Sequence, residues 1–372
     1  MMKSKFLNAL ILTALGVPGL ARAADAPAAP TLSSILDASG VSLSGDIDFS
    51  YSRLSGAGQF ATGAGALNDR VFDYAHNSFS LQAIDLTVAK LPAEGFGGLV
   101  DLTLGKDART IASTTGTAIA GQTYDLTQAY VQYATGAMTL IAGKFVTMSG
   151  AEVIKTTGDT NFSRSILFGY AIPFSHTGVR ATYKVSDAVS LVGGVNNGWD
   201  QATDANSQKT LELGAMLNPA KSFALSAMVY SGAEAGAAGT GTRNLLDLVA
   251  TITASDSLNF VLNYDNASQE NAVTAGAKAK WNGLAAYANF QINDMWRVSA
   301  RAETFKDTDG YRTGIVQKWK EATLTVAYAP SKSMELRGEV RKDTSDKAAF
   351  AYNDLVPRKT QNSLGLEAIY KF

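Results

Sequence analysis

The stretch NSLGLEAIYKF, Asn362–Phe372, decides the fold expected of this 372-residue chain. Its side chains alternate: one face carries Leu364, Leu366, Ala368, Tyr370 and Phe372, the other Ser363, Gly365, Glu367 and Lys371, with Ile369 as the exception. A terminal strand leaves backbone groups unpaired unless another strand covers it. In a bilayer, closure into a barrel is required, because lipid cannot bond stray N–H and C=O groups. The stretch therefore predicts a transmembrane β-barrel.

The first residues have the pattern of a secretory signal peptide. Lys3 and Lys5 precede an apolar run from Phe6 to Val17, and Ala21-Arg22-Ala23 is a small-residue cleavage site. We expect residues 1–23 to be removed, residues 24–40 to form an Ala/Pro-rich leader with a short helix near Thr31–Asp37, and residues 41–372 to form the barrel. The protein is thus expected to be exported to the cell outer membrane.

Composition excludes several other classes of protein. Although 46% of the residues are hydrophobic, no run of eighteen apolar residues follows the signal, which excludes transmembrane helices. The mature chain carries 29 basic and 33 acidic residues, a net charge of −4, which gives no indication of nucleic-acid binding. The chain has no Cys and two His, so we expect no disulfide, no metal site and no cofactor.

Turn-forming residues separate the alternating segments. The connections they form are short and long by turns along the chain. Seven short connections lie at 91–95, 135–137, 186–188, 218–222, 254–257, 293–295 and 329–333. Eight longer ones, rich in Gly, Ser, Thr and Asp, lie at 54–76, 108–122, 149–173, 200–207, 232–242, 267–272, 307–317 and 345–360. Short periplasmic turns and longer external loops are typical of outer-membrane barrels. The pattern predicts an all-β, antiparallel, up-and-down barrel of about 16 strands with both ends periplasmic.

Two places interrupt the alternation. Near Ala83 the apolar residues change parity, which predicts a β-bulge. The segment Val273–Ile292 contains Asn282-Gly283, a frequent hairpin turn. A hairpin there would break the even count, so we expect one long strand, and 18 strands remain an alternative.

The two faces of the strands predict a water-filled barrel. Aromatic residues near strand ends, such as Trp296, Tyr328 and Tyr133, suit the interfacial girdles of outer-membrane barrels, although they could also fill a soluble β-sandwich. The polar face would then line the lumen. A barrel of sixteen strands is too wide for side chains alone to fill, so it encloses an aqueous channel unless something plugs it.

Charged residues on the polar face are the candidates for selecting solutes. They are Arg297, Arg301, Glu303, Glu335, Arg337, Glu339, Arg341 and Asp343, with Arg180, Lys184 and Lys144 across the barrel. If the third long loop, 149–173, folds inward, its Glu152 and Asp159 would face this basic wall and polarise the pore, as charged rings do in channels. The alternative is that these residues are paired and solvated without a selective role.

Motifs of enzymes are missing from the sequence. There is no G-x-S-x-G, H-E-x-x-H or Walker loop. His76 and His176 have no neighbours that would position them for catalysis, and we interpret His176 as a hydrogen-bonding anchor. Asp307-Thr308-Asp309-Gly310 lacks the closing ligand of a calcium loop and is expected to be a β-turn. We therefore expect no enzyme activity.

Several longer motifs resemble the OmpL-like β-barrel porins of Gram-negative outer membranes over nearly the whole mature chain. They are Gly143-Lys144-Phe145 with Glu152, residues 161–165 (NFSRS), residues 173–180 (PFSHTGVR), Asn197-Gly198-Trp199, residues 301–305 (RAETF), Asp307, Asp309-Gly310 and residues 312–314 (RTG). The resemblance implies passive pore formation without naming a solute. Tyr370 and the terminal Phe372 also resemble the signal that the barrel assembly machinery recognises.

Together these observations predict a porin for the passive diffusion of small hydrophilic solutes, constricted by the third loop facing the basic wall. Two alternatives remain open: a substrate-selective channel for a sugar, anion or peptide, and a closed structural or adhesive barrel with the leader as its plug. The expected partners are outer-membrane lipid and lipopolysaccharide, the barrel assembly machinery and small solutes. A homotrimer is possible, although no flat apolar interface in the sequence requires one.

Overall fold

Sixteen antiparallel strands close into one barrel in the computed structural model, and each strand pairs with its neighbours along the chain. The structure describes residues 31–55, 70–73, 75–114, 122–352, 354 and 356–372. The expected signal peptide, and the leader up to residue 30, lie outside these ranges. The strands are β1 Ser42–Leu54, β2 Ser78–Lys90, β3 Gly95–Leu104, β4 Tyr124–Thr135, β5 Met138–Val146, β6 Ser175–Ser186, β7 Val189–Asn196, β8 Thr210–Ala220, β9 Phe223–Gly236, β10 Gly239–Ser255, β11 Leu258–Glu270, β12 Lys278–Gln291, β13 Trp296–Asp307, β14 Gln317–Ser331, β15 Met334–Ser345 and β16 Thr360–Lys371.

The terminal strand closes the barrel against the first one. β16 pairs with β1, with Lys371 opposite Asp46. Phe372 and Gly45 exchange both backbone hydrogen bonds at 2.9 Å. A Cβ on Gly45 would lie 2.6 Å from the Phe372 ring, so only glycine lets the last aromatic ring approach the closing strand.

The two faces of the strands differ in polarity as the alternation predicts. The outer face exposes large apolar side chains such as Leu213, Val131 and Leu366, whereas the inner face carries charged residues such as Arg301 and Glu303. Ile369 lies on the inner face and is fully buried. Aromatic pairs lie at the short-turn ends, for example Trp296 with Tyr328 at a ring-centroid distance of 4.6 Å. This is the pattern of a barrel with lipid outside and polar groups inside.

The interruptions in the alternation have the expected structures. The register between β1 and β2 shifts at Asp48 and Phe49, which pair with Ala83 and Leu81 and leave Gln82 as the extra residue of a bulge. β12 is a single strand that passes through Asn282 and Gly283, because both residues keep partners on β11 and β13.

One expected loop is wrong. The sequence predicted a long connection at 232–242, but β9 and β10 continue through this region and leave only residues 237 and 238 between them. The Gly and Ala residues there form extended pairs, such as Gly239 with Gly236, that keep the hairpin hydrogen-bonded to its tip. A segment rich in Gly and Ala predicts a loop, but its small side chains do not prevent the two strands from pairing here.

Three helices accompany the strands within the described residues: α1 Leu32–Ser39, α2 Lys106–Thr114 and α3 Ile166–Tyr170. α1 precedes the barrel. Thr31 caps its start, and Gly40, in the left-handed conformation, ends it. No helix in the described ranges has the length and apolarity needed to cross a bilayer.

Candidate functional site

The third loop, residues 147–174 between β5 and β6, lies inside the barrel. Its backbone amides donate to side chains on the inner face of several strands: Gly150 to Asp247 (3.1 Å), Ala151 to Asn263 (3.2 Å), Phe162 to Glu339 (2.8 Å) and Ile166 to Glu303 (2.7 Å). These acceptors belong to β10, β11, β15 and β13, so the loop crosses the lumen and follows the C-terminal wall. Carboxylates thus pair with amides that would otherwise be unsatisfied in a buried loop.

Arg301 is the central contact between this wall and the third loop. Its guanidinium donates to Glu152 and to the carbonyl of Ser163, both at 2.6 Å, and to Glu321 at 3.0 Å. Its side chain is fully buried. A buried guanidinium group that makes several hydrogen bonds holds its partners in a fixed geometry. Glu152 thus contacts the basic wall directly.

Arg337 and Arg341 bond to the backbone of the same loop. Arg337 donates to the carbonyls of Asp159 (2.8 Å) and Asn161 (3.2 Å), and Arg341 donates to that of Arg164 (2.6 Å). Both side chains are about 1% exposed. Consequently these arginines lie beneath the third loop.

Asp159 pairs with a residue of its own loop. Its carboxylate lies 3.0 Å from the Nε of Arg164, whose guanidinium also bonds to the carbonyls of Val153 and Ile154. The ion pair ties the two limbs of the loop together, and the Asp159 carbonyl accepts a hydrogen bond from Arg337 on the wall.

The other predicted basic residues pair with carboxylates of the strands or short turns, and Arg297 shares its partner Glu335 with Arg337. Arg180 is buried on β6, where it pairs with Glu212 (2.8 Å) and covers the Phe145 ring. Lys184 lies at the short-turn end of β6, is largely exposed and pairs with Asp187. Arg297 pairs with Glu335 (2.8 Å) near the start of β13. Lys144 pairs with Asp125 at 3.0 Å.

Apolar packing holds the second half of the third loop. Ser165 caps α3 by accepting from the Phe168 amide at 3.0 Å, and Leu167 and Phe168 are buried in a cluster inside the barrel. The indole of Trp281 on β12 donates to the carbonyl of Ala171 at 3.0 Å. The loop is therefore held by packing as well as by ions.

The end of the third loop is fixed by Asp200, which follows β7. Its carboxylate accepts from the amides of Phe174 (2.7 Å) and Ser175 (2.9 Å). Burial raises the pKa of the Asp200 carboxyl, although these two amides act in the opposite direction.

The opposite side of the third loop faces open space. A cavity of about 550 Å³ lies between the first limb of the loop and the wall formed by β3, β4, β8 and β9. Lys155 projects from the loop into this region, where its ammonium pairs with Asp101 at 2.7 Å, and 27% of its side chain is exposed. Neither Lys155 nor Asp101 is among the site residues that the sequence predicts.

Buried aspartates also line the inner face of the N-terminal strands. Those buried on β1 to β4 are Asp46, Asp48, Asp85, Asp101 and Asp125. Hydroxyl donors meet some of them: Thr103 bonds to Asp85 at 2.5 Å and Thr156 of the third loop bonds to Asp48 at 2.8 Å. Asp46 and Asp48 share one parity on β1, whereas Asp85, Asp101 and Asp125 each lie alone on their strand, so the sequence gives no joint pattern for the five.

The motifs considered for catalysis or calcium have structural partners. His176 is fully buried, with its Nδ1 3.2 Å from the carbonyl of Gly198. The Asp307 carboxylate accepts from the amides of Tyr311, Arg312 and Thr313, so it orders the turn that follows β13. His76 lies beside the outer rim near Asn77 and is remote in sequence and fold from His176.

Comparison with known families and structures agrees with this architecture. A family model described as "Putative beta-barrel porin-2, OmpL-like" matches residues 40–372. No curated protein sequence matches the chain.

Solved structures of similar fold are outer-membrane proteins. The channel DcaP of Acinetobacter baumannii is 14% identical, with a TM-score of 0.63 over 89% of this chain and 97% of its own. The anion-selective porin of Comamonas acidovorans is 12% identical, with a TM-score of 0.64 over 89% and 99%. OmpT of Vibrio cholerae in its trimer form is 11% identical, with a TM-score of 0.61 over 89% and 99%. At these identities the likeness concerns the fold.

Proposed function

The chain belongs to the OmpL-like β-barrel porin-2 family of outer-membrane channels, and on that premise we propose that it is a porin for the passive diffusion of small hydrophilic solutes. The observation that carries the proposal is the position of the third loop within the lumen. It bonds to the inner face of β10, β11, β13 and β15 and leaves a cavity on the side of β3 to β9. A sixteen-stranded barrel narrowed in this way passes small solutes and retains large ones.

The proposal assigns two different roles to the charged residues. Arg301, Arg337 and Arg341 hold the third loop against the wall, with Glu152 and Glu339 as their neighbours in the same network. Solutes pass on the other side of the loop. The basic wall thus determines the width of the passage by fixing the loop.

Single-channel recording in planar bilayers, with purified and refolded protein, tests this function. We expect steady, ohmic currents, together with liposome swelling rates that fall as neutral sugars increase in size. Refolding is checked first by the gel shift between heated and unheated samples. A correctly folded protein that gives no conductance and no swelling would contradict the porin function and favour a closed barrel.

A substrate-selective channel is the second candidate, and the lining of the cavity favours it. Apolar side chains surround much of the space, including Val146, Met148, Phe168, Phe174 and Met216. Ligand sites combine an apolar lining with few polar groups. Flux that saturates with solute concentration would favour this candidate, and flux that stays linear would favour simple diffusion.

Assembly and oligomer state follow from the same family assignment. We propose that Tyr370 and Phe372, both about half exposed on the outer face of β16, form the signal for the barrel assembly machinery. We further propose a homotrimer in a membrane of lipid and lipopolysaccharide, since OmpT of Vibrio cholerae has a trimer form. Export by a cleaved signal peptide at residues 1–23 belongs to the same proposal.

A further inference from the structure

The charged residues that line the cavity beside the third loop differ in what they offer to a solute. Asp101, Glu152 and Lys155 all contribute to the lining. The two oxygens of Glu152 are occupied by Arg301 at 2.6 Å and by the Ser165 amide at 2.7 Å. Glu152 is 5% exposed, so it presents little charge to the cavity.

Asp101 is also saturated by neighbours. One of its oxygens meets Lys155 at 2.7 Å and Thr87 at 3.0 Å, and the other accepts from Gln128 at 3.2 Å. Only 1% of the residue is exposed. A carboxylate in this position balances the positive charge of Lys155 without contacting a solute.

Lys155 retains a donor for a bound molecule. An ammonium group has three N–H donors, and within the described residues Asp101 and Thr87 use two of them. The side chain is 27% exposed, compared with 5% or less for Asp101 and Glu152. Lys155 is therefore the charged group that a molecule in this cavity would meet.

Apolar side chains lie on the other sides of the same space. Met148, Val153 and Phe168 of the third loop face the cavity together with Met216 of β8. Its volume of about 550 Å³ lies within the range of small-molecule sites, roughly 300–1,000 Å³. An anionic head on Lys155 with an apolar body against these side chains would satisfy both parts of the lining.

We propose that this cavity is a binding subsite for small amphipathic carboxylates, with Lys155 as the residue that binds the carboxylate. The subsite rests on the proposed function, because it lies on the passage that the third loop leaves open. It gives the channel a preferred class of solute, monoanions with an aliphatic or aromatic body, beyond general diffusion.

Three probes separate the contributions to binding: 4-phenylbutyrate has both parts, butyrate lacks the ring, and 4-phenylbutylammonium reverses the charge. We expect 4-phenylbutyrate to block the single-channel current saturably and at concentrations at least about tenfold lower than the other two. The ammonium compound loses the charge-assisted hydrogen bond to Lys155 and butyrate loses the burial of the ring, and each loss weakens binding by roughly that factor or more. Stronger block by the ammonium compound would overturn the proposal, because the aspartates of the wall would then dominate.

Matched variants assign the block to Lys155. Lys155→Gln is expected to weaken the block by 4-phenylbutyrate about tenfold, whereas Lys184→Gln, at the exposed end of β6, leaves it unchanged. Met216→Gln is expected to reduce the preference of 4-phenylbutyrate over butyrate. Equal block in wild type and Lys155→Gln would overturn the assignment.

Calorimetry in detergent makes the test independent of conductance. If bilayers are silent but 4-phenylbutyrate binds the folded protein and binds Lys155→Gln more weakly, the subsite stands and the porin function fails. If the channel conducts but neither block nor heat of binding depends on Lys155, the subsite fails and the porin function stands.

Discussion

The C-terminal wall of the barrel and the wall formed by β3 to β9 use charge differently. On β13 and β15, Arg301, Arg337 and Arg341 are buried under the third loop and bond to it. On β3, Asp101 faces a cavity and pairs with a partly exposed lysine of the same loop. Both walls look alike as alternating sequences. The difference arises from which side of the lumen the loop covers.

Whether the third loop covers a charged side chain decides what that side chain contributes to the protein. A buried guanidinium that bonds to several oxygens contributes rigidity, and removing it leaves its partners buried and unpaired. A partly exposed ion pair contributes little stability but remains available to ions and solutes. The C-terminal wall, which the third loop covers, should therefore control the structure of the passage. The wall formed by β3 to β9, which stays open, should control its selectivity.

The largest effect is expected for Arg301→Ala on the covered wall. Glu152 and Glu321 lose their partner in a buried site, which should lower the free energy of unfolding by about 3–5 kcal/mol. The third loop should also detach, so single-channel currents become larger and noisier. Urea unfolding in vesicles and bilayer recording measure the two effects. Wild-type behaviour in both would contradict the structural role of the covered wall.

A matched control for this prediction is Arg297→Ala. Arg297 lies on the same strand and inner face, but its side chain is 22% exposed, and its partner Glu335 keeps Arg337 and Lys371 as further cationic neighbours. We expect a loss of stability well below that of Arg301→Ala and steady currents.

A smaller effect is expected for Glu303→Gln. The Glu303 carboxylate accepts from the amides of Ile166 and Leu167 at the start of α3. The amide side chain keeps one acceptor oxygen and loses the charge, which should cost about 1–3 kcal/mol. Unfolding curves in urea measure this cost. Increased open-channel noise with a normal mean current would indicate a loosened but retained loop.

Substitutions on the open wall should change the ion selectivity of the channel. Asp101→Asn removes the counter-ion of Lys155, so the reversal potential in a salt gradient should move toward anion preference. The free energy of unfolding should fall by about 1–3 kcal/mol, because the buried Asp101 carboxylate also accepts hydrogen bonds from Thr87 and Gln128. A shift toward cation preference would contradict the assignment of Lys155 as the accessible charge.

The smallest effect is expected for Lys184→Ala. Its ammonium pairs with Asp187 in an exposed turn, and substitutions at such sites usually change stability by no more than about 0.5 kcal/mol. Bilayer currents and urea unfolding should both match wild type. A marked change in conductance would show that charge at the strand end also limits the passage.

The sequence predicted the barrel well because strand geometry acts on every second residue. The terminal strand and the bulge at Gln82 follow from local alternation, and the single strand through Asn282 follows from the even strand count of such barrels. The error at 232–242 has a local cause too, since small residues suit both a loop and a strand end.

The site was harder to predict because its properties depend on long-range contacts. The parity of Arg301 and Arg337 places them on the inner face, but only the path of the third loop reveals that they are covered. Lys155 stands in a loop without periodicity, and its partner Asp101 precedes it by more than fifty residues. No pattern in the sequence joins the two.

Cysteine accessibility tests the central claim that solutes pass on the cavity side of the third loop and not on the arginine side. The chain has no cysteine, so Ser226→Cys on the cavity lining and Ser299→Cys, 1% exposed on β13, each introduce one thiol with minimal change of shape. During single-channel recording we predict stepwise block of Ser226→Cys by a charged methanethiosulfonate reagent and no response from Ser299→Cys. Block of Ser299→Cys with an unresponsive Ser226→Cys would contradict the account.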